Sequence, residues 1–369
     1  MYLKSWKVFC AAAVVVLALS WQARAQSGKT AEEAFKNIQS LKGTPADQLI
    51  PAMQFISASL GVECDFCHVA GKFESDDKRP KQIARKMIAM TLAINKDDFN
   101  GRREVTCYSC HRGANDPLGT PPVATEDSKP ENAGAAAATP PGGMPTVEQV
   151  LEKYVAALGG ADAIRKESSR VEKGNISFMG HESAIEVFAK APNKRLSVMH
   201  TAHGDSITAF DGTAGWLGNS GRPPRDMRGP EIEAARLDAD FHFATDLKEI
   251  FTRFRMGRPE KIGDQPAYTV FALREGQPPV RLYFDQSSGL LLRLVRYADT
   301  PVGRNPTQID YADYREVGGV KAPLRWTLAR PGGRFTIQIK EAQANVPIDD
   351  AKFAKPLTGG GSEQTTSGH

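Results

Sequence analysis

Two short stretches, Cys64-Asp65-Phe66-Cys67-His68 and Cys107-Tyr108-Ser109-Cys110-His111, decide the fold of the first third of this chain. Both have the form C-x-x-C-H, and each follows a segment with apolar residues at helical spacing. The apolar residues are Met53, Ile56 and Leu60 in the first segment, and Ile83, Met87, Met90 and Ile94 in the second. A unit of helix, loop and C-x-x-C-H therefore occurs twice, as an internal repeat.

The residues around each segment predict where the two helices begin and end. The first helix is predicted from about Ile50 to Leu60, with Pro51 in its first turn and Gly61 beyond its end. The second is predicted from Pro80 to Asn95, with Asn95 as its cap.

Basic side chains gather at the start of the second helix. They are Lys78, Arg79, Lys81, Arg85 and Lys86. One hypothesis is a docking face for an acidic partner. The favoured alternative is an ordinary solvated helix face.

Each C-x-x-C-H stretch is typical of a site where haem is attached covalently. The two thiols add to the haem vinyl groups as thioethers, and the following histidine binds the iron. A zinc site is one alternative, but it would need a closed set of four ligands. Disulfides are another, but they would leave the histidines without a role. The predicted attachment residues are Cys64, Cys67, Cys107 and Cys110, with His68 and His111 as the proximal iron ligands.

The second axial ligand of each iron is predicted to be a methionine, because the chain has no further histidine before residue 181. A thioether is a natural axial ligand of haem iron. Aligning the repeats pairs Met53 with Met87 and Ile56 with Met90. An isoleucine cannot bind iron, so Met53 and Met87 are the predicted ligands, and Met90 is predicted to pack against the macrocycle. Simple core filling is the alternative role of these methionines.

The N-terminus has the features of a secretory signal peptide over residues 1–25. Lys4 and Lys7 precede an apolar run from Val8 to Leu19, and Ala23-Arg24-Ala25 follows. The apolar run is too short to span a bilayer. An uncleaved anchor is the alternative. The predicted location is the periplasm, with the mature protein soluble or peripherally associated with a membrane.

Composition divides the rest of the chain into further segments. Residues 26–115 are predicted to form a compact helical domain, and residues 116–145, rich in Pro, Ala and Gly, a linker. Residues 146–356 are predicted to form a second domain. Residues 357–369 are a Gly, Ser and Thr tail that is predicted to be disordered.

The second domain shows short β runs separated by turn residues. The clearest runs are 184–190, 195–200, 207–210, 268–274, 280–284 and 290–297. A helix is predicted after Thr146, and the stretch Pro230 to Phe254 also has a helical pattern. The predicted fold class is a multidomain α+β protein, in which a small, mostly helical dihaem cytochrome c domain precedes an antiparallel β-rich domain with flanking helices.

The stretches MQFISASLGVECDFCH (53–68), ARKMIAMTLAIN (84–95) and VTCYSCHRG (105–113) resemble the photosynthetic reaction centre cytochrome c subunit family. The resemblance covers roughly residues 45–115. It implies helix–loop–C-x-x-C-H repeats with axial methionines at Met53 and Met87, the pair that the internal repeat selects. Photosynthetic members carry four haems in two such pairs, and this chain has one pair.

The C-terminal part is similar, in its order of helix then hairpins and in LYFDQSSGLLLRL (282–294), to the half-barrel of lipoprotein-carrier proteins. This similarity implies a concave apolar surface able to hold a lipid or a quinone-like tail.

The functional hypothesis is a periplasmic dihaem c-type cytochrome that transfers electrons between redox protein partners and is not an enzyme. A membrane-bound reaction centre or a respiratory complex is a candidate partner. Two alternatives remain: a dihaem peroxidase, and a module that binds lipid or another apolar ligand with a cytochrome attached. With 47 Lys and Arg against 43 Asp and Glu, the charge is too balanced for a nucleic-acid partner.

Overall fold

The computed structural model describes residues 28–117 and 143–356, apart from positions 179 and 332. These residues form two compact units. The first unit contains residues 28–117 and Thr300–Gly303, and the second contains residues 143–299 and 304–356. The predicted signal peptide, the predicted tail and most of the predicted linker lie outside the described residues. Within the described ranges, no helix is long and apolar enough to cross a membrane.

The first unit is helical. Its helices are α1 (Ala31–Ala34), α2 (Ala46–Leu60), α3 (Cys64–Cys67), α4 (Arg79–Asp98) and α5 (Cys107–His111). The two predicted helices are present as α2 and α4, and both are longer than predicted. Helix α2 begins four residues early, after Pro45, so that Pro51 lies inside the helix and not in its first turn. Helix α4 continues past Asn95, which is therefore not its cap.

The end of α2 requires a glycine. Gly61 has φ +65°, the left-handed conformation that ends many helices. A Cβ atom at this position would also overlap the carbonyl oxygen of Gly113. The Gly113 amide donates to the Ser59 carbonyl at 2.9 Å. The residues that follow the second C-x-x-C-H motif therefore pack directly on the end of α2.

Helices α2 and α4 bury faces of different character. Helix α2 buries Leu49, Ala52, Ile56 and Ser59. Helix α4 buries Lys81, Ile88, Thr91 and Asn95, a face with only one large apolar residue. Its apolar stripe instead points outward, since Ile83, Met87 and Met90 are 47%, 39% and 46% exposed. An amphipathic helix in a water-soluble protein normally buries its apolar stripe.

The second unit combines a large sheet with four α-helices and one short 3₁₀ helix in its described residues. The α-helices are α6 (Val147–Leu158), α7 (Ala161–Lys166), α8 (Pro230–Ala239) and α9 (Phe243–Ile250), and the 3₁₀ helix is Asp350–Phe353. The strands are β1 (Ser169–Phe178), β2 (His181–Lys190), β3 (Lys194–Thr201), β4 (Gly204–Phe210), β5 (Gly215–Asn219), β6 (Arg222–Asp226), β7 (Arg253–Met256), β8 (Glu260–Ile262), β9 (Gln265–Leu273), β10 (Val280–Asp285), β11 (Leu291–Thr300), β12 (Gly303–Val317), β13 (Val320–Arg330) and β14 (Gly333–Ala344).

The strand order is β6-β5-β4-β3-β2-β1-β14-β13-β12-β11-β10-β9-β7, with β8 paired to β9. Two meanders of hairpins therefore meet where β1 pairs with β14. The pairing is antiparallel on both sides of β1, with Ile176 opposite Ile337 of β14 and Gly174 opposite Ile185 of β2. The predicted α+β class and the predicted antiparallel β runs are confirmed.

The core of the second unit lies between the sheet and its helices. Tyr154 and Leu158 of α6 pack with Leu247 of α9 and with Leu282 and Phe284 of β10. The rings of Tyr154 and Phe284 are 5.1 Å apart. The helical prediction for 230–254 holds for α8 and α9 but is wrong at its end, where β7 begins at Arg253 and pairs with β9.

Candidate functional site

The first C-x-x-C-H motif forms a single helical turn, α3. Residues three apart on a helix share a face, so Cys64 and Cys67 lie on the same side of this turn. The His68 amide donates to the Cys64 carbonyl at 3.0 Å and thereby closes the turn. Cys64 is exposed and Cys67 half-buried, and both are free thiols. Burial raises the pKa of the Cys67 thiol.

The His68 ring is oriented by a backbone carbonyl. His68 Nδ1 lies 2.9 Å from the carbonyl oxygen of Phe73. A carbonyl oxygen only accepts hydrogen bonds, so the contact requires the proton on Nδ1. The lone pair of Nε2 is then available to a metal, and this is the orientation in which a metal-binding histidine is usually held.

The second motif is arranged in the same way within α5. Thr106 caps the helix, and its amide donates to Ser109 Oγ at 3.0 Å. His111 Nδ1 lies 3.0 Å from the Ala114 carbonyl oxygen, which again places the proton on Nδ1. Cys107 and Cys110 are free, and burial raises the pKa of the Cys107 thiol.

Asn95 holds the segment that leads into the second motif. Its Oδ1 accepts hydrogen bonds from the amides of Glu104 at 3.0 Å and Val105 at 2.9 Å, and its Nδ2 donates to the Val105 carbonyl at 2.6 Å. Asn95 is only 5% exposed. This role of Asn95 differs from the predicted helix cap, although the spacing of Ile88, Thr91 and Asn95 places them on one helix face.

Two of the five basic residues at the start of α4 lie within an internal network. The Lys81 ammonium donates to the carbonyls of Phe73 at 2.9 Å and Ser75 at 2.7 Å, and it lies 3.1 Å from Asp76. The Arg85 guanidinium is 2.9 Å from the same carboxylate. Hydrogen bonds from Arg85, together with those from Asn37 and Lys81, lower the pKa of Asp76. Lys81 and Arg85 therefore belong neither to the predicted docking face nor to the predicted solvated helix face.

The predicted methionine ligands have different surroundings. Met53 is half-buried against the core of the first unit, whereas Met87 is exposed. Of nine large hydrophobic side chains exposed among the described residues, eight lie in the first unit. They are Phe35, Ile50, Phe66, Phe73, Ile83, Met87, Met90 and Tyr108. Phe66 and Tyr108 lie within the two motifs, and the Phe73 ring lies 5.5 Å from the His68 ring. Exposed apolar side chains at a dithiol–histidine motif fit a large, flat, apolar prosthetic group such as haem.

The second unit contains a cavity of about 500 Å³, a size typical of small-molecule sites. Its lining combines apolar side chains, among them Leu294, Ile309 and Trp326, with a comparable share of charged and polar side chains, among them Arg195 and Asp240. The Asp240 Oδ1 atom is buried and has no hydrogen-bond partner within the described residues. Burial, together with the charge of Asp246, raises the pKa of Asp240 to about 6.

Residues 5–150 match the model of the family described as Photosynthetic reaction centre cytochrome C subunit. The photosynthetic reaction center cytochrome c subunit of Thermochromatium tepidum is 33% identical over 91 residues, which are 24% of this chain and 22% of that protein. Cytochrome c-554 of Chloroflexus aurantiacus is 30% identical over 105 residues, which are 26% of this chain and 25% of that protein. The chain thus spans about a quarter of the length of these curated relatives.

Solved structures match a different part of the chain. A LolA superfamily protein from Nitrosomonas europaea covers 57% of this chain, and the match includes 99% of that protein, at 15% identity and a TM-score of 0.40. A DUF1329 family protein from Desulfovibrio piger covers 57% of this chain and 98% of its own length, at 12% identity and a TM-score of 0.42. The family model and the curated relatives show that the N-terminal part of this chain, with both C-x-x-C-H motifs, is similar to the cytochrome c subunits of photosynthetic reaction centres.

Proposed function

We propose that this protein is a periplasmic dihaem c-type cytochrome that transfers electrons between redox proteins and is not an enzyme. The supporting observation is the common orientation of His68 and His111. Each ring donates its Nδ1 proton to a backbone carbonyl, at 2.9 Å and 3.0 Å, and so leaves Nε2 available to bind iron.

The chain's own residues hold and orient the two groups. Cys64 and Cys67 would attach one haem, and Cys107 and Cys110 the other. When bound, a haem supplies an iron that exchanges single electrons. Met53 and Met87 are the proposed distal ligands, and Met90 would cover the apolar face of a macrocycle. The short loops from His68 to Phe73 and from His111 to Ala114 keep both proximal rings in place.

The similarity to reaction centre subunits supports a redox protein as partner, either a membrane-bound reaction centre or a respiratory complex. A dihaem peroxidase is the alternative class, and it would need one iron without a methionine ligand.

The number of haems attached to each mature chain tests the proposal. It is measured from the absorbance of the complex that haem forms with pyridine in alkali, and we expect two haems per chain. Cys110→Ala should reduce the value to about one attached haem, whereas Ser109→Ala, beside it, should leave two. A wild-type value of one or zero would contradict the dihaem proposal.

A second function is supported by the cavity in the second unit. We propose that this cavity holds the apolar chain of an amphiphilic molecule, with a polar head that donates a hydrogen bond to Asp240. The buried Oδ1 atom of Asp240 lacks a partner within the described structure. A buried polar atom without a hydrogen bond costs about 1–3 kcal/mol, so a ligand that supplies the bond is favoured.

Tryptophan fluorescence tests this second function. Trp326 lines the cavity, whereas Trp216 is buried in another cluster and donates to the Phe353 carbonyl. A long-chain alcohol with a brominated chain, whose hydroxyl group can donate to Asp240, should quench the fluorescence saturably, because bromine quenches indole at contact. The quenching should be lost in Trp326→Phe and kept in Trp216→Phe. Quenching that is absent, or equal in both variants, would contradict an apolar ligand in this cavity.

A further inference from the structure

One backbone carbonyl oxygen beside the first motif accepts hydrogen bonds from two side chains. The Phe73 carbonyl accepts the His68 Nδ1 proton at 2.9 Å and a proton of the Lys81 ammonium, also at 2.9 Å. The His68 Nδ1 and Lys81 Nζ atoms therefore lie less than about 6 Å apart. Lys81 is 8% exposed, so its charge is poorly screened by water.

We propose that Lys81 is a positioning residue that makes the first haem site the more oxidising of the two, an inference that rests on the proposed function. Two effects act in the same direction. The ammonium charge disfavours the additional positive charge of ferric iron. Its hydrogen bond also draws electron density from the Phe73 oxygen, which makes that oxygen a weaker acceptor for His68 and the imidazole a weaker donor to iron.

The second motif lacks this arrangement. The His111 proton goes to the Ala114 carbonyl at 3.0 Å. In the part of the chain that the structure describes, no charged side chain binds that oxygen. Two haems with the same cysteine, histidine and methionine ligands would therefore differ in potential because of Lys81. An electron on this protein would then reside preferentially at the first site.

Asp76 limits the effect of Lys81. Its carboxylate lies 3.1 Å from Lys81 and 2.9 Å from Arg85, so the cluster of these three side chains carries one net positive charge. Removal of the Lys81 charge should lower the potential of the first site. Removal of the Asp76 charge should raise it. Potential shifts of opposite sign at these two positions would indicate an electrostatic effect, because damage to the loop should shift the potential in the same direction in both variants.

The test is an optical redox titration of the holoprotein, resolved into two one-electron steps. In Lys81→Met, one step should show at least a tenfold lower ratio of ferrous to ferric haem at a fixed ambient potential, equivalent to about 59 mV. In Asp76→Asn the same step should shift in the opposite direction. Lys86→Met, an exposed lysine on the same helix, is the matched control and should change neither step.

A second measurement does not depend on the potentials. In the reduced protein, the Nδ1 proton of His68 should resonate further downfield in Lys81→Met than in the wild type, because the Phe73 oxygen no longer binds Lys81 and becomes a stronger acceptor for His68. Lys81→Arg keeps the charge and should restore most of the wild-type potential. If Lys81→Met does not mature, Asp76→Asn tests the proposal by itself. A higher potential at one site supports the proposal, and an unchanged or lower potential overturns it.

The inference is overturned if neither potential moves, if both move together, or if Lys81→Met and Asp76→Asn shift one potential in the same direction. A wild-type protein with two haems and two one-electron steps, but with these outcomes, would leave the proposed function standing. A protein without attached haem would overturn the proposed function, and this inference with it.

Discussion

Replacement of Asn95 by alanine should loosen the segment that leads into the second C-x-x-C-H motif. The substitution removes three hydrogen bonds, with donor–acceptor distances of 2.6, 2.9 and 3.0 Å. An intramolecular hydrogen bond contributes about 1 kcal/mol to stability on average. The free energy required to open this segment should therefore fall by about 3 kcal/mol. The Glu104 and Val105 amides should then exchange with solvent roughly a hundredfold faster.

Hydrogen exchange followed by NMR or mass spectrometry measures this opening at Glu104 and Val105. The second unit supplies an internal reference, because among the described residues tryptophan occurs only there, as Trp216 and Trp326. The urea midpoint followed by tryptophan fluorescence should thus stay unchanged in Asn95→Ala.

Lys96→Ala is the matched control, because Lys96 is the exposed neighbour of Asn95 on the same helix. Exposed substitutions of this kind usually change stability by less than about 0.5 kcal/mol. The assigned role of Asn95 is refuted if Asn95→Ala accelerates exchange at Glu104 and Val105 by less than about fivefold. It is also refuted if Lys96→Ala has an equal effect.

Met53→Ala and Met87→Ala should each abolish part of the weak sulfur-to-iron charge-transfer absorption at long wavelength. Each variant should also allow carbon monoxide to bind one reduced haem. Met90→Leu should have neither effect, because a volume-conserving substitution usually costs less than about 1.5 kcal/mol of stability. Carbon monoxide binding by the wild type would favour a peroxidase instead. Limited proteolysis should cut first within residues 116–145 and separate a haem-bearing fragment from a colourless one, and cleavage elsewhere first would count against a linker there. Asp240→Asn should stabilise the second unit at pH 7, because burial and the charge of Asp246 raise the pKa of Asp240 to about 6 in the folded state and the ionised carboxylate is disfavoured there. A carboxyl with a raised pKa favours folding when protonated, so wild-type stability should decrease as pH rises from about 4 to 6, and a flat profile of melting temperature against pH would contradict this.

The sequence predicts the elements of the fold better than their ends. Helical spacing identified α2 and α4, but Pro51 was misplaced because Pro45 and the acidic Asp47 already start the helix before it. Alternating apolar residues identified the strands. The pairing of β1 with β14 brings together residues that are far apart in the chain, and no local pattern encodes it.

The candidate site was predictable at the level of residue types. Spacing alone singled out the cysteines and histidines, and Met53 and Met87 remain predictions. The contact of His68 with Phe73 depends on the path of a loop, which no periodicity describes. Lys81 was misjudged because a lysine is almost never buried without a partner, and its partners are two backbone carbonyls and Asp76.

The outward apolar stripe of α4 has a consequence for how the protein is made. A chain that has crossed the membrane but not yet received its prosthetic groups would display Ile83, Met87 and Met90 to water on one continuous strip. Such a strip invites self-association until something covers it. Under the proposed function, covalent attachment would have to compete in time with aggregation and with proteases, so the yield of this protein in a cell should follow the capacity of the attachment machinery more closely than the rate of synthesis.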